Sequence, residues 1–142
     1  MSRSRLLIAM LLLVCIVAAM HISALVFSLY WRYIWFDMPT HFLGGVFISL
    51  LLLWTCYFSG YVRYTVTPST RAIFLCMVIG TLLVGIGWEV FERAMGLTWS
   101  AKGYWLDTSL DLLMDTLGGI TGFIFCAKSA RRTLMNNPSS KQ

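Results

Sequence analysis

The acidic side chains and histidines of this sequence are the groups whose types and spacing could do chemistry. The chain has 142 residues and six carboxylates, which are Asp37, Glu89, Glu92, Asp107, Asp111 and Asp115. Residues four apart lie on one face of a helix, because each residue turns the helix by about 100°. Asp107, Asp111 and Asp115 therefore form one stripe. Asp37 and His41 form another. Carboxylates grouped in this way are suited to binding a divalent cation or to relaying protons.

Small residues continue these stripes. Gly118 and Gly122 lie on the face of Asp115, and Gly85 precedes Glu89 by one turn. Helices in a membrane approach closely where small residues line the contact. We therefore expect the acids to point into a helical bundle and to share one pocket there.

The composition indicates which elements must position these side chains. Hydrophobic residues make up 58% of the chain and charged residues 12%, against roughly 45–50% and ~25% in soluble domains. A soluble globule, a disordered chain and a disulfide-stapled mini-domain are therefore excluded. Four apolar segments are long enough to cross a hydrocarbon core of about 30 Å as helices. They run over about residues 6–30, 39–59, 71–95 and 105–127.

These segments predict an all-α fold, an integral membrane four-helix bundle that forms a single domain over residues 1–142. Residues 128–142 are predicted to be a basic, polar cytoplasmic tail. The first segment exceeds the roughly 7–15-residue apolar region of a signal peptide. We interpret it as a retained signal anchor.

The distribution of basic residues predicts the orientation of the bundle, because Lys and Arg collect on the cytoplasmic side of membrane proteins. The side with both termini has Arg3, Arg5, Arg63, Arg71, Lys128, Arg131, Arg132 and Lys141, and the other side has Arg32, Arg93 and Lys102. Both termini are therefore predicted to be cytoplasmic, with the bundle in the inner membrane of the cell and all six acids outside. The formal net charge of +5 is then a topology signal. We expect membrane lipids as partners, anionic ones at the basic side, and no nucleic acid.

We predict an outward-facing pocket that binds a divalent cation, with Mg, Mn, Ca and Zn as candidates. Carboxylate oxygens and an imidazole suit such an ion, and the sequence has no G-x-S-x-G, H-E-x-x-H or P-loop motif. The predicted ligands are His41, Glu89, Glu92, Asp111 and Asp115, with Asp37, Asp107 and His21 as further candidates. The polar head of an envelope or lipid-linked substrate would bind at or beside the cation.

Catalysis is one use of such a pocket. In a metal-dependent hydrolase or transferase, Glu89 and Asp111 would be the catalytic candidates, since a carboxylate beside a cation can act as a base. No haem is expected, because the chain has two histidines and neither lies in a haem motif.

Other interpretations stay open for single residues. Asp37 and Asp107 stand at predicted helix starts and could act as N-caps. His41 and His21 could be hydrogen-bonded packing residues. The remaining acids could be structural partners of nearby bases. Those bases are Arg93 and Lys102.

Two other functions stay open for the whole protein. One is a non-enzymatic accessory or scaffold protein, in which the acids only lock helices together. The other is cation- or proton-coupled transport. A polar path for it is missing, because the inner half of the last three spans has no charged residue beyond Arg71 at the very end of its span. The glycine-rich faces would also permit a homo-oligomer.

The cysteines predict no redox or zinc chemistry. Cys15, Cys56, Cys76 and Cys126 lie in apolar segments and form no C-x-x-C pair. Disulfides and zinc–thiolate sites are therefore not expected.

Three stretches resemble known membrane proteins. Asp37–Phe42 resembles the D-x-x-x-H-F element that opens a span in the VanZ-like and the related YjdF-type inner-membrane proteins. Trp88–Glu92 resembles the end of their next span, and Asp107–Gly122 resembles a D-x-x-x-D-or-N-x-x-G-x-x-x-G element in the last. Asp115 stands where VanZ-like sequences commonly have asparagine, and Met38 where they often have lysine. The resemblance covers about residues 37–122, and it implies an envelope location and an acidic outer site without implying a reaction.

Overall fold

The computed structural model describes residues 3–61, 69–96 and 103–135. Within these ranges the chain is mostly helical and has no strand. Four helices are long and apolar enough to cross a membrane, over Ser4–Val26, Asp37–Phe58, Thr70–Met95 and Tyr104–Cys126. The all-α four-helix membrane bundle predicted from the sequence is confirmed.

The helices are numbered in chain order as α1 Arg3–Val26, α2 Leu29–Arg32, α3 Asp37–Leu53, α4 Thr70–Met95 and α5 Tyr104–Met135. A 3₁₀ turn over Ile34–Phe36 precedes α3, and a π-helical turn over Trp54–Phe58 follows it. The first helix ends before the predicted residue 30, because Ser28 adopts a left-handed conformation with φ 55° and the chain turns into α2. The last helix extends to Met135, so residues 128–135 of the predicted tail are helical. Residues 136–142 lie outside the described residues.

Both ends of α4 are capped. The Ser69 Oγ accepts a hydrogen bond from the backbone N–H of Ala72 at 3.1 Å, which satisfies one of the free donors at a helix start. Gly96 ends the helix with φ 70°, and its N–H donates to carbonyls of the last turn. Glycine is favoured there because it has no Cβ to oppose a left-handed conformation. The Gly96 cap closes the last two turns, which carry Glu89 and Glu92.

A hydrophobic core at one end of the bundle shows how the helices run. Its buried residues are Leu6, Met10, Leu50, Leu53, Ile73, Met77 and Cys126. The beginnings of α1 and α4 therefore meet the ends of α3 and α5, and successive spans alternate in direction. We call this the basal end, and the opposite end, where α3 and α5 begin, the acidic end. The cytoplasmic placement of the basal end stays a prediction.

Helices α3 and α5 touch through their backbones. A Cβ on Gly118 would meet the carbonyl oxygen of Phe42 and would lie 2.8 Å from the amide nitrogen of Val46. A Cβ on Gly45 would lie 2.9 Å from the Cα of Asp115. Only residues without a side chain permit this approach. The predicted close contact along small residues is confirmed, and it brings the acids of α5 against α3.

Helix α1 is peripheral. It packs mainly on α3, and large apolar side chains such as Leu12, Ile16 and Ile22 are exposed on its surface. In a bilayer such side chains face lipid, where their exposure carries no cost.

Candidate metal centre

His41 is the centre of the acidic end. Its Nε2 lies 3.8 Å from Asp37 Oδ1 and 3.9 Å from Glu89 Oε1, and its Nδ1 lies 3.4 Å from Asp115 Oδ2. The imidazole is 7% exposed. Carboxylates from α3, α4 and α5 thus approach both nitrogens of one buried histidine.

Local helix geometry places the first pair. Asp37 begins α3 and His41 follows one turn later, so both side chains lie on the same face. Phe36 occupies the N-cap position, and no side-chain hydrogen bond caps this helix. The alternative role of Asp37 as an N-cap is therefore wrong. Asp107 is likewise inside the first turn of α5, which begins at Tyr104.

The register of α4 against α5 places Asp115. Its Oδ2 rests on Gly85, where a Cβ would collide with the carboxylate, and Gly119 lies against Thr81 one turn further towards the basal end. Thr81, Gly85 and Glu89 are all buried, as their spacing predicts. Gly85 therefore provides the space in which Asp115 reaches His41.

Two overlapping groups of side chains could hold a metal ion. One consists of Asp37, His41 and Asp111, and the other of His41, Glu89 and Glu92. In each group the ligand atoms lie within 4.8 Å of one another. Opposite ligands of a cation with bonds of about 2.0–2.6 Å are about 4.0–5.2 Å apart. Each group therefore fits within one coordination sphere. Four members are among the main ligands predicted from the sequence, and Asp37 is one of the further candidates.

Asp115 lies behind the imidazole and belongs to neither group. The Asp37 and Glu89 carboxylates face Nε2, whereas Asp115 is on the Nδ1 side. A carboxylate that accepts a hydrogen bond from the second ring nitrogen fixes the tautomer and orientation of a metal-binding histidine. The geometry thus suits Asp115 to orienting His41.

Glu89 has one satisfied and one unsatisfied oxygen. Oε2 accepts a hydrogen bond from the Thr108 hydroxyl at 2.8 Å. Oε1 is buried and has no hydrogen-bond partner among the described residues, although it faces His41. A buried carboxylate oxygen left unpaired is costly. This oxygen is therefore the feature of the site that a bound cation would satisfy.

Thr108 is a site residue that the sequence analysis missed. It lies one turn before Leu112 on α5, and only the register between α4 and α5 brings it to Glu89. Its sequence context suggested no more than a polar residue near a helix start.

His21 and Asp107 lie outside both ligand groups. His21 Nδ1 is 2.8 Å from the Tyr30 hydroxyl, and its ring meets the edge of Trp88. Burial, together with the nearby charge of Asp37, raises the pKa of Tyr30 to about 12. Tyr30 therefore remains protonated at neutral pH and can donate to His21. This contact ties α1 to the connector that leads into α3.

The arginines whose side chains the structure describes do not neutralise the acids. Among the described residues, no arginine forms an ion pair with any of the six carboxylates; Arg93 instead places its guanidinium 4.2 Å from the ring centroid of Tyr104. The alternative that Arg93 pairs with Glu89 and Glu92 is therefore wrong. Lys102 lies outside the described residues.

A cavity of about 350 Å³ adjoins the cluster. Asp37, His41, Glu92 and Asp115 line its polar end, and side chains of α1, α3 and α4 line the rest. His21 is among its lining residues, so it shares the cavity without joining a ligand group.

The four cysteines are free thiols. Cys56 and Cys76 nevertheless bring their sulfur atoms to 3.6 Å, near the basal end of α3 and α4. The Cys56 thiol lies in the π-helical turn. This approach was not visible in the spacing of the two cysteines.

Comparison with known proteins gives a family. The profile of the family described as "Predicted membrane protein (DUF2238)" matches residues 2–132. No curated protein and no solved structure matches the chain.

Proposed function

The chain belongs to the DUF2238 family of predicted membrane proteins, and we propose that its acidic end is a divalent-cation site. In this proposal the protein is a multi-pass protein of the inner cell membrane. The cation holds the polar head of an envelope or lipid-linked substrate on the outer side.

The buried Oε1 of Glu89, which has no hydrogen-bond partner among the residues that the structure describes, is the observation that carries the proposal. It faces His41 Nε2, which also faces Asp37. Buried charges in membrane spans are paired or functional, and an arginine partner is missing within the described part of the chain. A cation between these groups would satisfy the oxygen and offset the repulsion among neighbouring carboxylates.

Each residue then has a distinct role. The ligand atoms come from the two groups, which are His41 with Asp37 and Asp111, and His41 with Glu89 and Glu92. Asp115 orients the imidazole, and Thr108 holds the Glu89 carboxylate. One imidazole with several carboxylates is compatible with Mn²⁺, Mg²⁺, Ca²⁺ or Zn²⁺, so the identity of the ion is left to measurement.

Titration with Mn²⁺ tests the proposal. The full-length protein in lipid nanodiscs is titrated while electron paramagnetic resonance reports the free ion. Glu89→Gln and Asp111→Asn are expected to lower the Mn²⁺ affinity by at least about 10–100-fold, which is the loss usual for a mere hydrogen-bond partner of a ligand. Asp107→Asn is the matched control, because it neutralises a carboxylate of α5 outside both ligand groups. Equal binding by wild type and the two ligand variants would contradict the proposal.

The accessory or scaffold alternative makes a different prediction. Under it, neutralising Glu89 and Asp111 together lowers thermal stability, and neither wild type nor variant retains Mn²⁺, Mg²⁺, Ca²⁺ or Zn²⁺ after purification. Elemental analysis beside a melting curve separates the two functions.

The outward orientation is tested separately. A reporter that fluoresces only in the cytoplasm, fused after Gln142, is expected to be bright. A second fusion at the same position uses an enzyme that is active only in the periplasm. If the fluorescent fusion is dark and the enzyme fusion is active, the orientation is the reverse of the proposed one.

A further inference from the structure

We propose that the cavity beside the cluster binds the hydrocarbon chain of a single-chain lipid phosphate, whose phosphate lies at the acidic end. The inference rests on the proposed function, because a cation joins the phosphate to the carboxylates. It names the class of substrate that this site would take.

The polarity of the cavity changes along its length. Asp37, His41 and Glu92 line it at the acidic end, whereas Phe47 and Ile48 line it deeper in the bundle. Thr81 also lines it, but its hydroxyl donates to the Met77 carbonyl of its own helix at 2.7 Å. The Thr81 hydroxyl is thus already used within its own helix. The deep part of the cavity therefore suits an alkyl chain.

The depth of the cavity matches one leaflet. Lining residues of α3 run from Asp37 to Ile48, which at 1.5 Å per residue is about 16 Å. Half of a hydrocarbon core of about 30 Å is about 15 Å. A lipid anchored at the acidic end would thus keep its chain at the depth that it has in the bilayer.

The cavity opens towards lipid between α1 and α4. Val14 of α1 and Val84 of α4 both line it, yet they are 39% and 46% exposed. This surface belongs to the membrane-spanning part of both helices. A chain can therefore enter sideways from the bilayer, which favours a lipid over a water-soluble phosphate.

The volume favours one chain. About 350 Å³ is at the low end of the roughly 300–1,000 Å³ of ligand pockets. The described lining residues include no arginine or lysine. A phosphate would be repelled by the carboxylates without a cation, and with one it is a preferred oxygen ligand.

Photolabelling in nanodiscs tests the inference. The probe is a lysophosphatidic acid with a diazirine at the end of its chain, in the presence of Mn²⁺. Peptide mass spectrometry is expected to find labels at Phe47 or Ile48 in excess over Leu12, which faces bulk lipid. EDTA is expected to reduce the cavity labels to the level of Leu12 and to leave the labelling of Leu12 unchanged. Cavity labelling no greater than that of Leu12 would overturn the inference.

Three comparison ligands identify the chemistry. A monoacylglycerol with the same diazirine lacks the phosphate and is expected to label the cavity no more than Leu12. A long-chain amine with the same diazirine tests direct binding of a cation to the acids; stronger cavity labelling by it in EDTA would overturn the inference. Excess glycerol 3-phosphate has the head without the chain, and it is expected not to displace the probe. If glycerol 3-phosphate displaces the probe completely, the phosphate alone accounts for the binding affinity and the role of the hydrocarbon chain is overturned.

A filled cavity provides the matched protein control. Gly44 lines the cavity, and a Cβ there meets nothing within 4 Å. Gly44→Leu is expected to lower cavity labelling about 10–200-fold and to retain Mn²⁺ binding. Gly87 of α4 is not a lining residue, and a Cβ there also meets nothing within 4 Å, so Gly87→Leu is expected to label like wild type. Unchanged labelling of Gly44→Leu would contradict the inference.

The two proposals fail separately. If the wild-type protein binds Mn²⁺ but its cavity is labelled no more than Leu12, the lipid chain is rejected and the cation site remains. Absence of Mn²⁺ binding in wild type rejects the cation site itself.

Discussion

Asp115 Oδ2 lies 3.4 Å from His41 Nδ1, although 74 positions separate the two residues in the chain. The carboxylate rests on Gly85 of a third helix. The contact therefore depends on α3, α4 and α5 together, and it turns the other ring nitrogen of His41 towards Asp37 and Glu89.

The role of Asp115 can be separated from that of a ligand. Asp115→Ala is expected to lower Mn²⁺ affinity about 10–100-fold, because the imidazole loses the partner that orients it. Asp115→Asn is expected to lower the Mn²⁺ affinity less, since its amide oxygen can still accept a hydrogen bond from His41 Nδ1. Titration in nanodiscs measures both. Equal losses in the two variants would instead indicate that the charge of Asp115 acts directly on the ion.

Thr108 is expected to support Glu89. Thr108→Val removes the 2.8 Å hydrogen bond to Oε2 and should reduce the free energy of unfolding by about 0.6–1.7 kcal/mol, the range for hydrogen bonds between membrane helices. Thr116→Val is the control, because Thr116 donates to Leu112 of its own helix. Reversible unfolding in mixed detergent gives the values. A larger loss in the control would refute the assignment.

The backbone contact between α3 and α5 predicts intolerance of a methyl group. Gly118→Ala is expected to destabilise the protein by about 1–3 kcal/mol, the usual cost of overpacking. At Gly87 a Cβ meets nothing within 4 Å, so Gly87→Ala should be neutral or stabilise α4 by up to about 1 kcal/mol. Equal melting temperatures for the two variants would show that α3 and α5 can move apart to accept the methyl group without a loss of stability, which contradicts the prediction.

Tyr30 gives a prediction about alkaline pH. Its pKa is raised from 10.0 to about 12, so the folded state holds this proton more tightly than the unfolded state. The resulting contribution to stability is present below pH 10 and is lost as the pH rises towards 12. Tyrosinate absorbance of wild type minus Tyr30→Phe is expected to titrate near the higher value. A difference spectrum that titrates with the exposed tyrosines would contradict the prediction.

The spacing of residues along each helix predicted much of the site. The four-residue interval from Asp37 to His41 placed both on one face, and the row Thr81, Gly85 and Glu89 is buried as expected. Periodicity determines which side chains share a face, because it depends only on the geometry of a single helix.

The relative depth of neighbouring helices could not be predicted in the same way. Thr108 meets Glu89, and Asp115 faces Nδ1 of His41, only because backbone contacts at Gly45 and Gly118 fix how far α5 slides along α3. His21, a further candidate ligand in the sequence, contacts the Tyr30 hydroxyl instead. The left-handed Ser28 and the short α2 bring Tyr30 back to it, and no periodic pattern encodes that turn.

The division of the cluster among helices has a consequence for biogenesis. α5 is synthesised last and is the least apolar of the four spans; a charged residue at the centre of an isolated helix costs roughly 2.5–3.5 kcal/mol to insert. When α5 reaches the membrane, His41 and Glu89 are already present on α3 and α4. The earlier helices thus form a receptor for α5, and the site forms in the same event that inserts α5 into the membrane.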